Sequence, residues 1–63
     1  MTTIEEAEKL IASGEAKAVW TVTDDLGEVY GVLDRYDAST TEHVLLHSVE
    51  EYRRWMDLSN RDN

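Results

Sequence analysis

The sequence predicts one small α+β domain in which a helix, three antiparallel strands and a second helix follow one another. Two segments of the form Ser/Thr-x-x-Glu each precede apolar residues at helical spacing. Between them, "AKAVWTVT" and "EVYGVLDR" are rich in β-prone residues and flank the turn sequence "DDLG". The chain has 63 residues and no cysteine. We therefore expect residues 1–63 to share one core that neither disulfides nor thiolate zinc sites support.

The first helix is predicted over residues 4–13. Thr3 and Glu6 form its capping box, and Gly14 ends it. Its apolar stripe consists of Ile4, Ala7, Leu10 and Ile11. The stripe gives this helix one face to bury.

A hairpin follows, with strands over 16–23 and 28–35 around a four-residue loop, Asp24–Gly27. This register places Thr23 opposite Glu28, Val22 opposite Val29, Ala18 opposite Leu33 and Lys17 opposite Asp34. It also places Trp20 opposite Gly31, where the missing side chain leaves room for the indole.

The third strand is predicted over 42–47, with Arg35 opposite Glu42, and the second helix over 49–58. Residues 58–63 are expected to form a frayed tail. Both helices should pack on one sheet face, which is predicted to consist of Ala18, Trp20, Val22, Val29, Leu33, Val44 and Leu46.

The segment "HVLLH" raises the question of a metal site, because His43 and His47 are four residues apart. On a helix the two imidazoles would share a face. On a strand they lie about 13 Å apart at ~3.3 Å per residue, which is too far for one metal ion. Asp34 beside His43 could orient a catalytic base, but no nucleophile accompanies the pair. The strand assignment therefore predicts no metal, no cofactor and no catalytic residue.

The opposite sheet face is predicted to carry an apolar patch. In the register above, Val19, Val32 and Leu45 form a row across the strands, and Tyr30 flanks it. Two short helices on the other face would leave this row uncovered, as in surfaces that bind a partner or a second copy. The alternatives are that one helix crosses to this side, or that the apolar residues have no such role.

The charge of the chain restricts its partners. Fourteen acidic residues against six basic ones give a formal net charge of −8. Such a charge repels phosphate backbones and anionic membranes and attracts basic proteins. The N-terminal residues lack a basic segment followed by an apolar run, and no window is apolar enough to span a membrane. We expect a cytoplasmic protein that binds neither nucleic acid nor membrane directly.

The predicted fold gathers acidic residues at the hairpin tip and at the two helix starts. These candidate partner-binding residues are Glu5, Glu6, Glu8, Asp24, Asp25, Glu28, Glu50 and Glu51. Fixed carboxylates on a folded surface can imitate a row of phosphates. In size, acidity and lack of catalytic motifs the chain resembles the small DNA-mimic inhibitors of mobile elements, such as anti-CRISPR and anti-restriction proteins. This class resemblance implies an inhibitor that occupies a basic nucleic-acid-binding site, and it carries over no individual residue.

Three functional hypotheses follow. The first is a non-enzymatic acidic inhibitor of a basic protein site. The second is a small homodimeric adaptor or regulator that uses the face of Val19, Tyr30, Val32 and Leu45. The third is an enzyme or metal protein that uses His43 and His47. A negative surface that serves only solubility, or adaptation to salt, is the simple alternative to the first.

Overall fold

The computed structural model describes residues 2–61. Its elements in chain order are α1 (Ile4–Ala12), β1 (Ala16–Thr23), β2 (Val29–Arg35), β3 (Thr41–Leu46) and α2 (Val49–Arg61). The predicted α+β fold and its αβββα order are confirmed. No helix among the described residues is long and apolar enough to cross a membrane.

Both predicted capping boxes begin helices. At α1, the backbone N–H of Glu6 donates to Thr3 Oγ1 at 3.2 Å. At α2, the N–H of Glu51 donates to Ser48 Oγ at 3.2 Å, and Glu51 Oε1 accepts from the N–H of His47 at 2.9 Å. These bonds satisfy amide donors that have no partner within the helix, which fixes where each helix begins.

The strands form one antiparallel sheet in the order β1-β2-β3. In the β2–β3 pair, Leu33 lies opposite Glu42 and Gly31 opposite Val44. The predicted pairing of Arg35 with Glu42 is wrong by two residues. Because side chains alternate between sheet faces with a period of two, this shift leaves every side chain on its predicted face.

The β1–β2 pair contains a β-bulge, which regular alternation along β1 does not predict. At the base of the hairpin, Ala18 lies opposite Leu33 as predicted, but nearer the turn Thr21 lies opposite Gly31. The register shifts between these pairs, so that Val19 and Trp20 together oppose one residue of β2. The predicted pairs of Trp20 with Gly31, Val22 with Val29 and Thr23 with Glu28 are therefore wrong.

Trp55, not Trp20, occupies the space over Gly31. Trp55 is fully buried, whereas Trp20 is 63% exposed and Val22 is 37% exposed. A Cβ atom at Gly31 would overlap Cε2 and Cδ2 of Trp55 and would lie 2.7 Å from its Nε1. The prediction that Trp20 and Val22 belong to the core is wrong, because the extra residue in β1 turns both side chains to the other face.

Helix α2 bonds to the backbone of the bulge. The indole N–H of Trp55 donates to the carbonyl oxygen of Trp20 at 3.1 Å. The hydroxyl of Ser59 donates to the carbonyl oxygen of Val19. Leu58, between them on the helix, is also buried. The prediction of a frayed tail over 58–63 is wrong for 58–61, which are helical, and residues 62 and 63 lie outside the described residues.

The core lies between the sheet and both helices, on the face that was predicted. Its buried residues come from all five elements and are Ile4, Ala7, Ala16, Ala18, Leu33, Val44, Leu46, Trp55 and Leu58. Val29 is partly buried against this cluster. Because both helices contribute to a single cluster, their apolar stripes pack on the same side of the sheet.

Candidate protein-binding surfaces

The sheet face opposite the helices, called here the outer sheet face, is apolar on all three strands. Thr21 is on the helix side, because it pairs with Gly31, whose missing side chain makes room for Trp55. Trp20 and Val22, on either side of Thr21, therefore lie on the outer face. The apolar residues of the outer sheet face are Val19, Trp20, Val22, Tyr30, Val32 and Leu45. All four residues predicted for this patch are present, and the bulge adds Trp20 and Val22.

This face has a buried centre and an exposed border. Val32 is only 7% exposed, while Val19, Tyr30 and Leu45 are half-buried. The ring of Tyr30 meets that of His43 edge-on, with centroids 6.1 Å apart and planes at 71°. Beside these rings lies an open groove of ≈ 320 Å³, whose lining also includes Val22. The outer sheet face is thus one continuous patch with a shallow depression.

Little of the chain's charge lies on the outer sheet face. Lys17 and Asp34 are cross-strand partners there, as predicted. Asp24 borders the groove at the hairpin end. Glu28 also lies close enough to Tyr30 to affect its pKa. The outer sheet face therefore carries few charges, and most of its carboxylates lie towards the hairpin tip.

At the hairpin tip, Asp24 holds the turn. Its Oδ1 accepts from the N–H groups of Leu26 and Glu28, each at 2.9 Å, and its Oδ2 accepts from the hydroxyl of Tyr30 at 3.1 Å. The Glu28 N–H does most to lower the pKa of Asp24, and the bond from Tyr30 adds to this effect. The same bond to Asp24 raises the pKa of Tyr30. Gly27 closes the turn with a φ of 83°, a conformation that glycine adopts without strain.

Two more of the predicted acidic residues are engaged within the fold. The Glu8 carboxylate of α1 forms an ion pair with Arg54 of α2 and is the main reason that the pKa of Arg54 is raised. Glu5 and Glu51 also lie close enough to raise it. Since Glu51 in addition caps α2, Glu8, Glu51 and Asp24 serve the structure.

The other five predicted acidic residues are exposed, and their carboxylates make no hydrogen bond or ion pair with another residue in the range 2–61. They are Glu5, Glu6, Asp25, Glu28 and Glu50. Glu6 lines a groove with Lys9 and Arg35 at the base of the hairpin, away from the hairpin tip. We call the other four residues, Glu5, Asp25, Glu28 and Glu50, the acidic end. They were predicted as parts of three separate clusters.

The start of α2 lies between the start of α1 and the strand that follows the hairpin tip. Glu5 of α1 and Glu51 of α2 line one groove of ≈ 220 Å³, so the two helix starts are neighbours. Val29 and Val49 line a second groove of ≈ 230 Å³, so the strand that follows the hairpin tip lies beside the start of α2. Glu28 and Glu50 immediately precede and follow these two valines. The acidic end therefore runs from the hairpin tip past α2 to α1.

The two histidines do not share a helix. His43 lies in the extended strand β3 and His47 follows its end, and both are exposed. Asp34 lies opposite Thr41, and His43 lies opposite Val32, so the predicted juxtaposition of Asp34 and His43 is wrong. Within residues 2–61 no group of three or more histidine, aspartate or glutamate side chains is placed to hold a metal ion. The strand assignment on which the distance argument depended is confirmed.

Comparison with known proteins gives no relative: no protein-family model matches the chain, and neither a curated protein nor a solved structure matches it significantly.

Proposed function

We propose that this protein is a non-enzymatic protein-binding module whose acidic end occupies a basic site of a partner protein, and that this site is one that binds nucleic acid. The observation that carries the proposal is that exposed carboxylates at the start of α2 adjoin those at the start of α1 on one side and the strand after the hairpin tip on the other. Such a surface can take the place of phosphates in a basic channel, as the resemblance to DNA-mimic inhibitors implies.

The position of these carboxylates suits this role. They are attached to two capped helix starts and to a turn held by Asp24, so their backbone positions are fixed before binding. Preorganised groups lose less entropy when they bind. The electrostatic attraction of an acidic surface for a basic one acts mainly on association and weakens as salt screens it.

The proposal can be tested with two triple variants that remove the same amount of charge. Glu5→Gln/Glu28→Gln/Glu50→Gln neutralises one residue from each part of the acidic end. Glu15→Gln/Asp37→Asn/Asp57→Asn neutralises three exposed carboxylates elsewhere. Circular dichroism spectra should show that both variants keep the fold of the wild-type protein.

Each protein, immobilised, is exposed to host lysate at about 0.05 M and about 0.5 M NaCl, where the Debye length falls from roughly 14 Å to roughly 4 Å. Wild type and the second triple variant should retain a basic protein at low salt and release it at high salt. Retention by the first triple variant should fall about tenfold, because three modest ion-pair contributions are lost together.

Duplex DNA should displace the retained protein, since it competes for the same basic site. Equal retention by both triple variants, or retention that salt does not change, would contradict a role for the acidic end. Retention that depends on the acidic end but resists duplex DNA would contradict the nucleic-acid-binding site as the target.

A further inference from the structure

We infer that the outer sheet face binds the same face of a second copy of this chain, giving a two-fold dimer with the sheets in the middle and the helices outside. This inference does not depend on the acidic end. It follows from the apolar residues of the face, from the small number of charges on it and from its size.

The apolar residues form one surface. Trp20 and Val22 are 63% and 37% exposed, and they adjoin the half-buried Val19, Tyr30 and Leu45 around Val32. This patch is continuous across all three strands, whereas apolar residues scattered singly over a surface are normal in monomers. The bulge enlarges the patch, because it turns Trp20 and Val22 of β1 to the outer sheet face. Regular alternation would have placed both side chains on the helix side.

The charge of the face selects the second copy as the partner. Each chain carries a net charge of −8, so two copies repel each other in most orientations. The outer sheet face carries few of these charges. Asp24 and Glu28 lie near Tyr30 at its hairpin end, and Lys17 lies with its cross-strand partner Asp34 at the other end. Such a pair is self-complementary about a two-fold axis.

The size of the face sets the strength of the dimer. Three strands about 4.8 Å apart, with about seven residues at ~3.3 Å each, give a flat footprint of roughly 330 Å². The projecting side chains, the indole of Trp20 above all, raise the accessible area buried to the order of 500 Å² per copy. The total of about 1,000 Å² is at the lower limit of specific interfaces. We therefore expect dissociation constants in the micromolar range or weaker.

The test compares two aromatic residues of almost equal exposure. Trp20 lies on the outer sheet face and is 63% exposed, and Tyr36 lies beyond the end of β2 and is 66% exposed. Trp20→Asp and Tyr36→Asp each place a new carboxylate on the surface without removing a buried side chain. Sedimentation equilibrium is measured on wild type and both variants from about 10 µM to about 1 mM, the range in which so small an interface is populated.

Wild type and Tyr36→Asp should change from monomer to dimer over this range, and Trp20→Asp should stay monomeric. The tryptophan emission of wild type should also shift to shorter wavelength on dimerisation, because Trp20 loses contact with water. A wild-type protein that stays monomeric at about 1 mM would overturn the inference. So would a Trp20→Asp variant that dimerises like wild type, since the copies would then meet elsewhere, for example along the edge of β3.

Discussion

The substitution Gly31→Ala tests the contact that distinguishes the observed sheet register from the one the sequence suggested. The new Cβ would overlap the indole of Trp55, which is fully buried and is held by its bond to the carbonyl oxygen of Trp20. Overpacking costs about 1–3 kcal/mol, and disturbance of the Trp55 hydrogen bond costs about 1 kcal/mol more. The lower backbone entropy of unfolded alanine offsets about 0.5–1 kcal/mol. The net loss is about 2 kcal/mol.

This loss is large for a chain of 63 residues, whose free energy of unfolding is roughly 3–9 kcal/mol at 0.05–0.15 kcal/mol per residue. Urea unfolding followed by circular dichroism should show a midpoint lower by about 2 M, for an m-value near 1 kcal/mol/M. The cost should persist in a Trp20→Ser background and shrink in a Trp55→Phe background, because coupling between mutations requires contact. A midpoint shift below about 0.5 M, or coupling to Trp20 in place of Trp55, would refute this reasoning.

Two further substitutions test the hairpin tip and the bulge. The pKa of Asp24 is lower in the folded protein than its ordinary value of about 3.9. Its carboxylate therefore stabilises the fold at pH values above about 3.9, and this stabilisation is lost as the pH falls through the pKa of the folded state. The free energy of unfolding, measured with urea, should therefore fall less for Asp24→Asn than for wild type between about pH 5 and about pH 2. An equal fall in both proteins would contradict the assignment. Ser59→Ala should cost about 1 kcal/mol, because it removes the donor to the carbonyl of Val19 in the bulge. Substitution of the exposed neighbour, Asn60→Ala, should change the free energy of unfolding by less than about 0.5 kcal/mol. Equal effects at both positions would count against the hydrogen bond from Ser59 to Val19.

Local signals predicted the elements well. Thr3 and Ser48 begin the helices because a hydroxyl and the amide three residues later are all that a cap requires. The alternation of β1 and the "DDLG" turn likewise predicted a hairpin from neighbouring residues alone.

The bulge could not be predicted from the same signals. Trp20 and Trp55 both suit the space over Gly31, and only the packing of α2 against the sheet decides between them. That contact joins residues 24 positions apart in the chain. Once Trp55 occupies the space, Trp20 must turn outwards, and β1 accommodates this with one extra residue. A non-local contact thus overrides the simple alternation.

The length of α2 was underestimated for a related reason. The sequence predicts a helix over 49–58, yet α2 continues to Arg61, and Ser59 bonds to the bulge. The partner of Ser59 lies in the sheet, so its role appears only after the sheet is placed.

The candidate surfaces were predicted in part. Val19, Tyr30, Val32 and Leu45 were assigned correctly to the outer sheet face by alternation along each strand. The error of two residues in the β2–β3 register leaves Leu45 on the same face. The sequence assigned the acidic residues to the hairpin tip and the two helix starts, but it did not show which of them stabilise the fold. The ion pair of Glu8 with Arg54, for example, joins two helices that are distant in the chain. Only the folded structure distinguishes the carboxylates that stabilise it from those that face solvent.

The separation of an apolar sheet face from an acidic end is the central claim, and amide NMR spectra of the ¹⁵N-labelled protein test it most directly. Spectra are recorded during dilution, which should dissociate the proposed dimer, and during titration with an octalysine peptide as a basic probe. Dilution should shift the amides of the outer sheet face, such as Trp20 and Val32, while the peptide should shift those of the acidic end, such as Glu28 and Glu50. If both experiments shift the same residues, or the peptide shifts Glu15 and Asp37 as strongly as the acidic end, the claim is contradicted.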